Sequence, residues 1–166
     1  HTVIARAAEI GVSEFVVCAG SRNSPLVLEL LRQRDPLRVW SFFEERSAAF
    51  FAFGRARALN APVAVVTTSG TAAAELFPAI IESLYLRVPL LAIAADRPKI
   101  YRGSGAPQSI EQAGLFCMYA RDSWDIDDEN FDLTRWDGWG PAHLNVCFDE
   151  PLLSDEDDVE KSVRIS

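Results

Sequence analysis

Four short stretches of this sequence gather residues whose types suggest chemistry. The first, Gly20-Ser21-Arg22-Asn23-Ser24-Pro25, joins a glycine that lets the backbone turn sharply to a Ser-Pro helix start, whose free N–H groups attract an anion. Arg22 there suits a carboxylate or phosphate clamp, and it equally suits a solvated arginine beside an ordinary helix cap. The stretch is neither a GKS/GKT phosphate loop nor GxGxxG. The second, Glu44-Glu45-Arg46, follows Phe42-Phe43 and precedes Ala48, Ala49, Phe51 and Ala52. A carboxylate carried into such a setting is costly to ionise, so its pKa should rise and it could share a proton with a bound heteroaromatic base. One of the two glutamates should be exposed, and a pair of first-turn acids favoured by the helix dipole is the plainer alternative. The third, Thr67-Thr68-Ser69-Gly70-Thr71, is a turn small enough for a flat ligand to approach the backbone closely, or simply a capped loop. The fourth is Asp96-Arg97-Pro98 with the glycine-rich Gly103 to Gln108 behind it, where Gln108 faces either a crevice or the solvent.

These stretches need elements to carry them, and hydrophobic periodicity supplies an alternation. Helix is expected over Thr2–Ile10, ending at Gly11, from Ser24-Pro25 to about Arg34, over Arg46–Leu59 until Asn60-Ala61-Pro62, and over Thr71–Leu86, with Pro78 predicting a kink or a break. Short apolar runs predict strands at Phe15–Ala19, Leu37–Phe43, Val63–Thr67, Leu90–Ala94 and His143–Phe148. Five-residue strands between helices build βαβ units, so the expected fold is α/β, doubly wound, a mainly parallel sheet with helices on both faces. Ligands of such sheets bind beyond the carboxyl ends of the strands, and each of the four stretches falls at such an end.

Composition narrows the function. The 166 residues are 49% hydrophobic with a net charge of −8, which fits one domain with a sizeable core. No run approaches the ~20 apolar residues of a membrane span. Residues 1–121 carry net +3 and residues 122–166 net −11, so residues 1–153 are expected to be the domain and 154–166 an acidic solvated linker. Fourteen of the 16 basic residues are Arg, without a basic stripe, which favours bidentate anion recognition over nucleic acid. Cys18, Cys117 and Cys147 form no CxxC and have no His at ligand spacing. They are expected to be buried thiols of a cytoplasmic, reducing compartment. His143 should be a packed histidine, no metal site is indicated, and no GxSxG elbow exists. Lacking an initiator Met and opening inside a helical pattern, the sequence reads as part of a longer chain.

In this order and spacing the loops resemble the N-terminal pyrimidine-binding domain of thiamine-diphosphate-dependent enzymes. Within them they resemble the menaquinone-pathway branch that joins a succinyl unit from decarboxylated 2-oxoglutarate to isochorismate. The resemblance runs from Thr2 to about Leu153 and rests on Gly20-Ser21-Arg22 with Ser24-Pro25-Leu26, Glu44-Glu45-Arg46, Thr68-Ser69-Gly70-Thr71-Ala72, Ala95-Asp96-Arg97-Pro98, Gly105-Ala106 with Gln108, and Gly140 to Asn145. It implies that Glu45 is the catalytic glutamate that hydrogen-bonds the cofactor's aminopyrimidine and promotes ylide formation, with Ser69 and Gly70 also at the cofactor. It further implies that Ser21, Arg22, Arg97 and Gln108 hold isochorismate. Thiamine diphosphate is the implied cofactor, with Mg²⁺ and the diphosphate held by a domain not in this sequence. A homodimer or homotetramer is the implied assembly, and the domain alone is expected to be inactive. The sequence departs from the family pattern at Ala19, Pro107 and Cys147, and over residues 122–139, which are shorter than a pattern that carries a helix there. The competing readings are an acetolactate synthase or 2-oxoacid decarboxylase of the same superfamily, and a non-catalytic flavodoxin-like binding module.

Overall fold

The computed structural model describes residues 3–33, 37–128 and 130–153; Thr2, Arg34 and the expected linker 154–166 lie outside them. In chain order the elements are α1 (Val3–Glu9), β1 (Glu14–Cys18), α2 (Ser24–Arg32), β2 (Arg38–Phe42), α3 (Glu45–Leu59), β3 (Val63–Thr67), α4 (Thr71–Ala74), α5 (Phe77–Leu86), β4 (Leu90–Asp96), β5 (Asp122–Ile126) and β6 (Ala142–Cys147). Short 3-10 turns occupy Lys99–Tyr101 and Cys117–Tyr119. The six strands form one sheet in the order β2-β1-β3-β4-β6-β5, every neighbouring pair parallel.

Strand position follows from side-chain chemistry. The central strands β1, β3 and β4 are buried along their whole length, which is why they read as continuous apolar runs. Alternate residues feed two cores, one per face. Phe15, Val17, Ala64, Val66 and Ile93 pack under α1 and α2. Val16, Val63, Val65, Leu90 and Ala92 pack under α3 and α5 with Phe116. Pro78 does break the helical stretch expected over Thr71–Leu86, falling in the first turn of α5 after the four-residue α4. Asn60 ends α3 in the left-handed conformation.

One strand was not expected. β5 lies at the sheet edge with Trp124 and Ile126 inward, Asp125 between them and Asp122 before them, so its apolar content is half that of a central strand. The stretch between β5 and β6 carries no helix among the described residues, as the shortened pattern foreshadows. Leu133 and Trp136 cover that face instead, with the indole N–H groups of Trp124 and Trp136 donating to the carbonyls of Asp132 (2.9 Å) and Gly140 (3.1 Å).

At the opposite edge Glu14 ties β1 to its neighbours. It is 5% exposed and accepts from Arg55 Nε (2.8 Å) and Nη2 (2.6 Å) and from Trp40 Nε1 (3.0 Å). The Arg55 hydrogen bonds, aided by Trp40 and opposed by burial, hold its carboxyl below the ordinary 4.5. A depressed folded-state pKa stabilises above the unfolded value and is lost as pH falls through the folded one. Glu14→Ala should therefore lower the unfolding free energy by about 2 kcal/mol at neutral pH, and the difference should shrink below pH 4.5. Denaturant titrations across that range check it, and equal stabilities at neutral pH refute it.

Candidate functional site

The strand order reverses between β1 and β3: from β1 the chain goes to β2 on one side and then returns to β3 on the other. A crevice opens at such a reversal, beyond the carboxyl ends. The loops after β1 and β3 meet there. Asn23, fully buried, pins the first: its Oδ1 accepts from the Gly20 N–H (2.8 Å) and its Nδ2 donates to the Cys18 carbonyl (2.9 Å). A Cβ on Gly20 would sit 2.7 Å from Thr68 Cβ, so glycine is what lets the two loops touch.

The second loop is gripped from the far side. Ser69 and Gly70 are buried; Gly70 has φ +77, and a Cβ there would lie 3.0 Å from the Gln108 carbonyl oxygen. Arg97 Nη1 donates to Ser69 Oγ (3.2 Å) and to the Gln108 carbonyl (3.0 Å), while Gln108 Nε2 donates to the Ser69 carbonyl (3.5 Å). Four of the expected site residues, Ser69, Gly70, Arg97 and Gln108, thus form one cluster. Arg22 stands apart from it. Its Nη1 donates to the Phe148 carbonyl (3.0 Å) and its Nη2 pairs with Glu150 (2.9 Å), placing it against the segment after β6. Ser21 is exposed beside it at the start of α2.

The structure also separates the two glutamates. Glu44 is the N-cap of α3, accepting from the backbone N–H groups of Arg46 (3.1 Å) and Ser47 (2.8 Å) and from the Ser47 hydroxyl. These bonds, the Ser47 hydroxyl foremost, hold its carboxyl below the ordinary range. Glu45 opens α3, is half-buried, and has no hydrogen-bond or ion-pair partner among the described residues. It lies near enough to Cys18 for its charge to act there. Burial first, and Glu45 and Glu44 after it, push the Cys18 thiol up to about 12. Thr67 Oγ1, buried at the end of β3, has no partner either.

A chain of polar groups behind the cluster, running from the buried Gln112, Asn145 and Asp96 out to the half-buried Arg102 and the exposed Asp125, was not singled out from sequence as a network. Gln112, 0% exposed, accepts from the Gly70 N–H (2.8 Å) and donates to the Ala95 carbonyl (2.9 Å) and to Asn145 Oδ1 (2.8 Å). Asn145 Nδ2 donates to Asp96 (3.0 Å) and Asp125 (2.9 Å). Arg102 closes the chain on Asp125 (2.8 and 2.6 Å), holding that carboxyl down at about 2. Asp96 is marked by its place at a strand end, and Asn145 has the signal of a polar residue inside the apolar strand Ala142–Cys147; Gln112 and Arg102 lie in loops with no pattern to mark them.

The histidine and cysteine expectations divide. His143 is packed edge-to-face on Phe116, and burial pushes its pKa down to about 4, so it is neutral at ordinary pH. Cys18 is buried, but Cys147 is only half-buried and Cys117 is exposed, because the 3-10 turn at Cys117 points Phe116, not its neighbour, into the core. Among the described residues no group of His, Cys, Asp and Glu could hold a metal ion. Among the described residues no helix is long and apolar enough to cross a membrane. The clefts described lie away from Glu45, for example between Trp124, Asp127, Phe131 and Arg135.

Comparison with known proteins bears on the family and the fold. The family model described as thiamine pyrophosphate enzyme, N-terminal TPP binding domain matches residues 1–115. A 2-succinyl-5-enolpyruvyl-6-hydroxy-3-cyclohexene-1-carboxylate synthase from Bdellovibrio bacteriovorus is 53% identical over 153 residues, covering 91% of this chain and 29% of that protein. Synthases of the same name from Akkermansia muciniphila and Halobacterium salinarum are 52% and 40% identical, over 85% and 87% of this chain and 27% of each relative. The chain thus spans under a third of the length of these curated relatives. Among solved structures, a thiamine diphosphate-dependent 4-hydroxybenzoylformate decarboxylase from Rhodococcus jostii superposes with a TM-score of 0.73 at 16% identity, covering 86% of this chain and 28% of that one. At that identity the likeness is one of fold.

The cysteine environments make a direct test. A thiol reacts as its thiolate, so Cys18, buried and raised to about 12, should resist alkylation at neutral pH while the exposed Cys117 is modified first. Cys147, raised by burial to about 11, should follow slowly. Mass spectrometry of partially alkylated protein reads the order, and early modification of Cys18 contradicts it.

Proposed function

The chain belongs to the thiamine pyrophosphate enzymes as their N-terminal TPP binding domain, and from that premise we propose that it forms the pyrimidine-binding part of a synthase joining a succinyl unit from 2-oxoglutarate to isochorismate in menaquinone biosynthesis. The names and 40–53% identities of the relatives support this branch. The observation that carries the site is Glu45: a half-buried carboxylate beyond the carboxyl end of β2, unpartnered among the described residues and beside a glutamate already committed to capping. The cofactor fits the residues present. A cyclic amidine-like ring needs a carboxyl group with which to share a proton, and it needs backbone it can approach; Glu45 offers the first, and the Ser69-Gly70 turn, with no Cβ at Gly70, the second.

When bound, thiamine diphosphate supplies the carbanion chemistry that decarboxylates a 2-oxoacid and transfers the remaining carbon unit. The work of this chain is to hold and orient. Glu45 exchanges a proton with the pyrimidine nitrogen, an exchange its freedom from other partners permits. Arg97, fixed by Ser69 and Gln108, and Arg22, at the start of α2, offer guanidinium groups to the two carboxylates of isochorismate. Ser21 and Gln108, both exposed, supply hydrogen bonds to the same substrate. Mg²⁺ and the diphosphate are assigned to a further domain of the full-length protein, and closure of the half-open Glu45 site to a second subunit, in a homodimer or homotetramer. The domain alone is then inactive. A cytoplasmic setting fits three unpaired thiols.

Two measurements in the full-length enzyme test this. Glu45→Gln should lower turnover by about 10²-fold or more with the fold intact, since an amide cannot exchange the proton; full turnover removes Glu45 from the mechanism, and an equal loss confined to Glu44→Gln moves the role to its neighbour. Arg22→Ala and Arg97→Ala should each raise the KM for isochorismate about 10²-fold with little change in cofactor affinity. No change for isochorismate would favour an acetolactate synthase or 2-oxoacid decarboxylase, and equal losses for both ligands would make the arginines structural.

A further inference from the structure

We propose that Gln112 is the positioning residue that aims Arg97 at the substrate, by holding at once the turn that the guanidinium grips and the strand end that carries it. The proposal rests on the substrate role given to Arg97 above. Arg97 is tied at three points. Its side chain donates to Ser69 Oγ (3.2 Å) and to the Gln108 carbonyl (3.0 Å), and its backbone N–H donates to Asp96 Oδ1 (2.8 Å). Gln112 stands behind the first and the last. Its Oε1 accepts from the N–H of Gly70, the residue after Ser69. Its Nε2 donates to the carbonyl of Ala95, the residue before Asp96, and to Asn145, which in turn donates to the other oxygen of Asp96.

A single side-chain amide thus joins the ends of β3, β4 and β6. It is 0% exposed, so the three bonds are shielded from competing water, and losing any of them leaves a buried group unsatisfied. No other described side chain bonds to both the β3 turn and the β4 end in this way. Gln112 has no contact with Arg97 itself, so its influence must pass through the Ser69-Gly70 turn and the Ala95-Asp96 strand end. Misplacement of a substrate-holding group by an ångström is enough to be felt in binding.

The test uses the full-length enzyme loaded with thiamine diphosphate. Gln112→Met keeps the volume and removes all three bonds. It should raise the KM for isochorismate about tenfold or more, with smaller changes in turnover and in cofactor affinity. In an Arg97→Ala background the same substitution should have almost no further effect on that KM, because the group it aims is gone. Should the Met variant fold poorly, Gln112→Glu reads the same point. A carboxylate still accepts from Gly70 but cannot donate, and a protonated carboxyl regains one donor, so its KM defect should ease as pH falls while the parent shows no such trend. An unchanged KM in Gln112→Met, or losses that simply add to those of Arg97→Ala, overturns the proposal and leaves the substrate role of Arg97 standing. An unchanged KM in Arg97→Ala itself overturns that role and the proposal with it.

Discussion

Parallel strands that end side by side release their last backbone donors and acceptors into one small region, and buried groups of that kind must find partners. Here side-chain amides provide them. Asn23 closes the turn after β1 on both its carbonyl and its amide, Gln112 joins the turn after β3 to β4, and Asn145 links β6 to Asp96 and Asp125. The same bonds that satisfy the backbone fix where Ser69, Gly70 and Arg97 stand. Rigidity at the candidate site is therefore a by-product of a requirement that any parallel sheet has to meet at this edge.

The glutamate pair shows how a requirement of the same sort sorts neighbours of identical chemistry. Both precede a helix, both follow two phenylalanines, and residue type cannot rank them. Capping does. The first turn of α3 needs acceptors for its free N–H groups, Glu44 sits where its carboxylate reaches two of them, and Glu45, one residue on, points elsewhere. The helix uses one acid for its own termination and leaves the other without a partner among the described residues, a condition that suits proton exchange with a ligand.

Much of this was legible in the sequence because it depends on local pattern. Uniformly apolar runs marked β1, β3 and β4, Ser24-Pro25 marked the start of α2, Pro78 marked the break before α5, and glycines after strands marked the loops that touch. What stayed hidden depends on distant partners. β5 alternates polar and apolar residues over only five positions in an acidic stretch, and it becomes a strand because β6 offers it an edge. Gln112 lies in a loop without periodicity, and nothing in its neighbours foretells an amide at the junction of three strands. Cys117 sits between apolar residues yet faces solvent, since a 3-10 turn sends Phe116 inward and its neighbour out.

The fold itself does not choose a substrate. A 4-hydroxybenzoylformate decarboxylase and this chain share it at 16% identity, so the choice among chemistries has to come from side chains at the carboxyl edge. In this chain those side chains divide into two sets. Arg97, Ser69 and Gln108 are hydrogen-bonded to one another in front of a turn that Gln112 holds through Gly70, a prearranged group of side chains. Among the described residues Glu45 is held only by the helix it begins, half-covered and unpaired. A prearranged cation favours recognition, because little ordering remains to be done when the ligand arrives. An unpaired carboxylate favours reaction, because no internal hydrogen bond has to break before a proton moves. In the proposed function the first set selects isochorismate and the second serves the cofactor, and their different degrees of constraint follow from whether the backbone at each point had orphaned groups to satisfy.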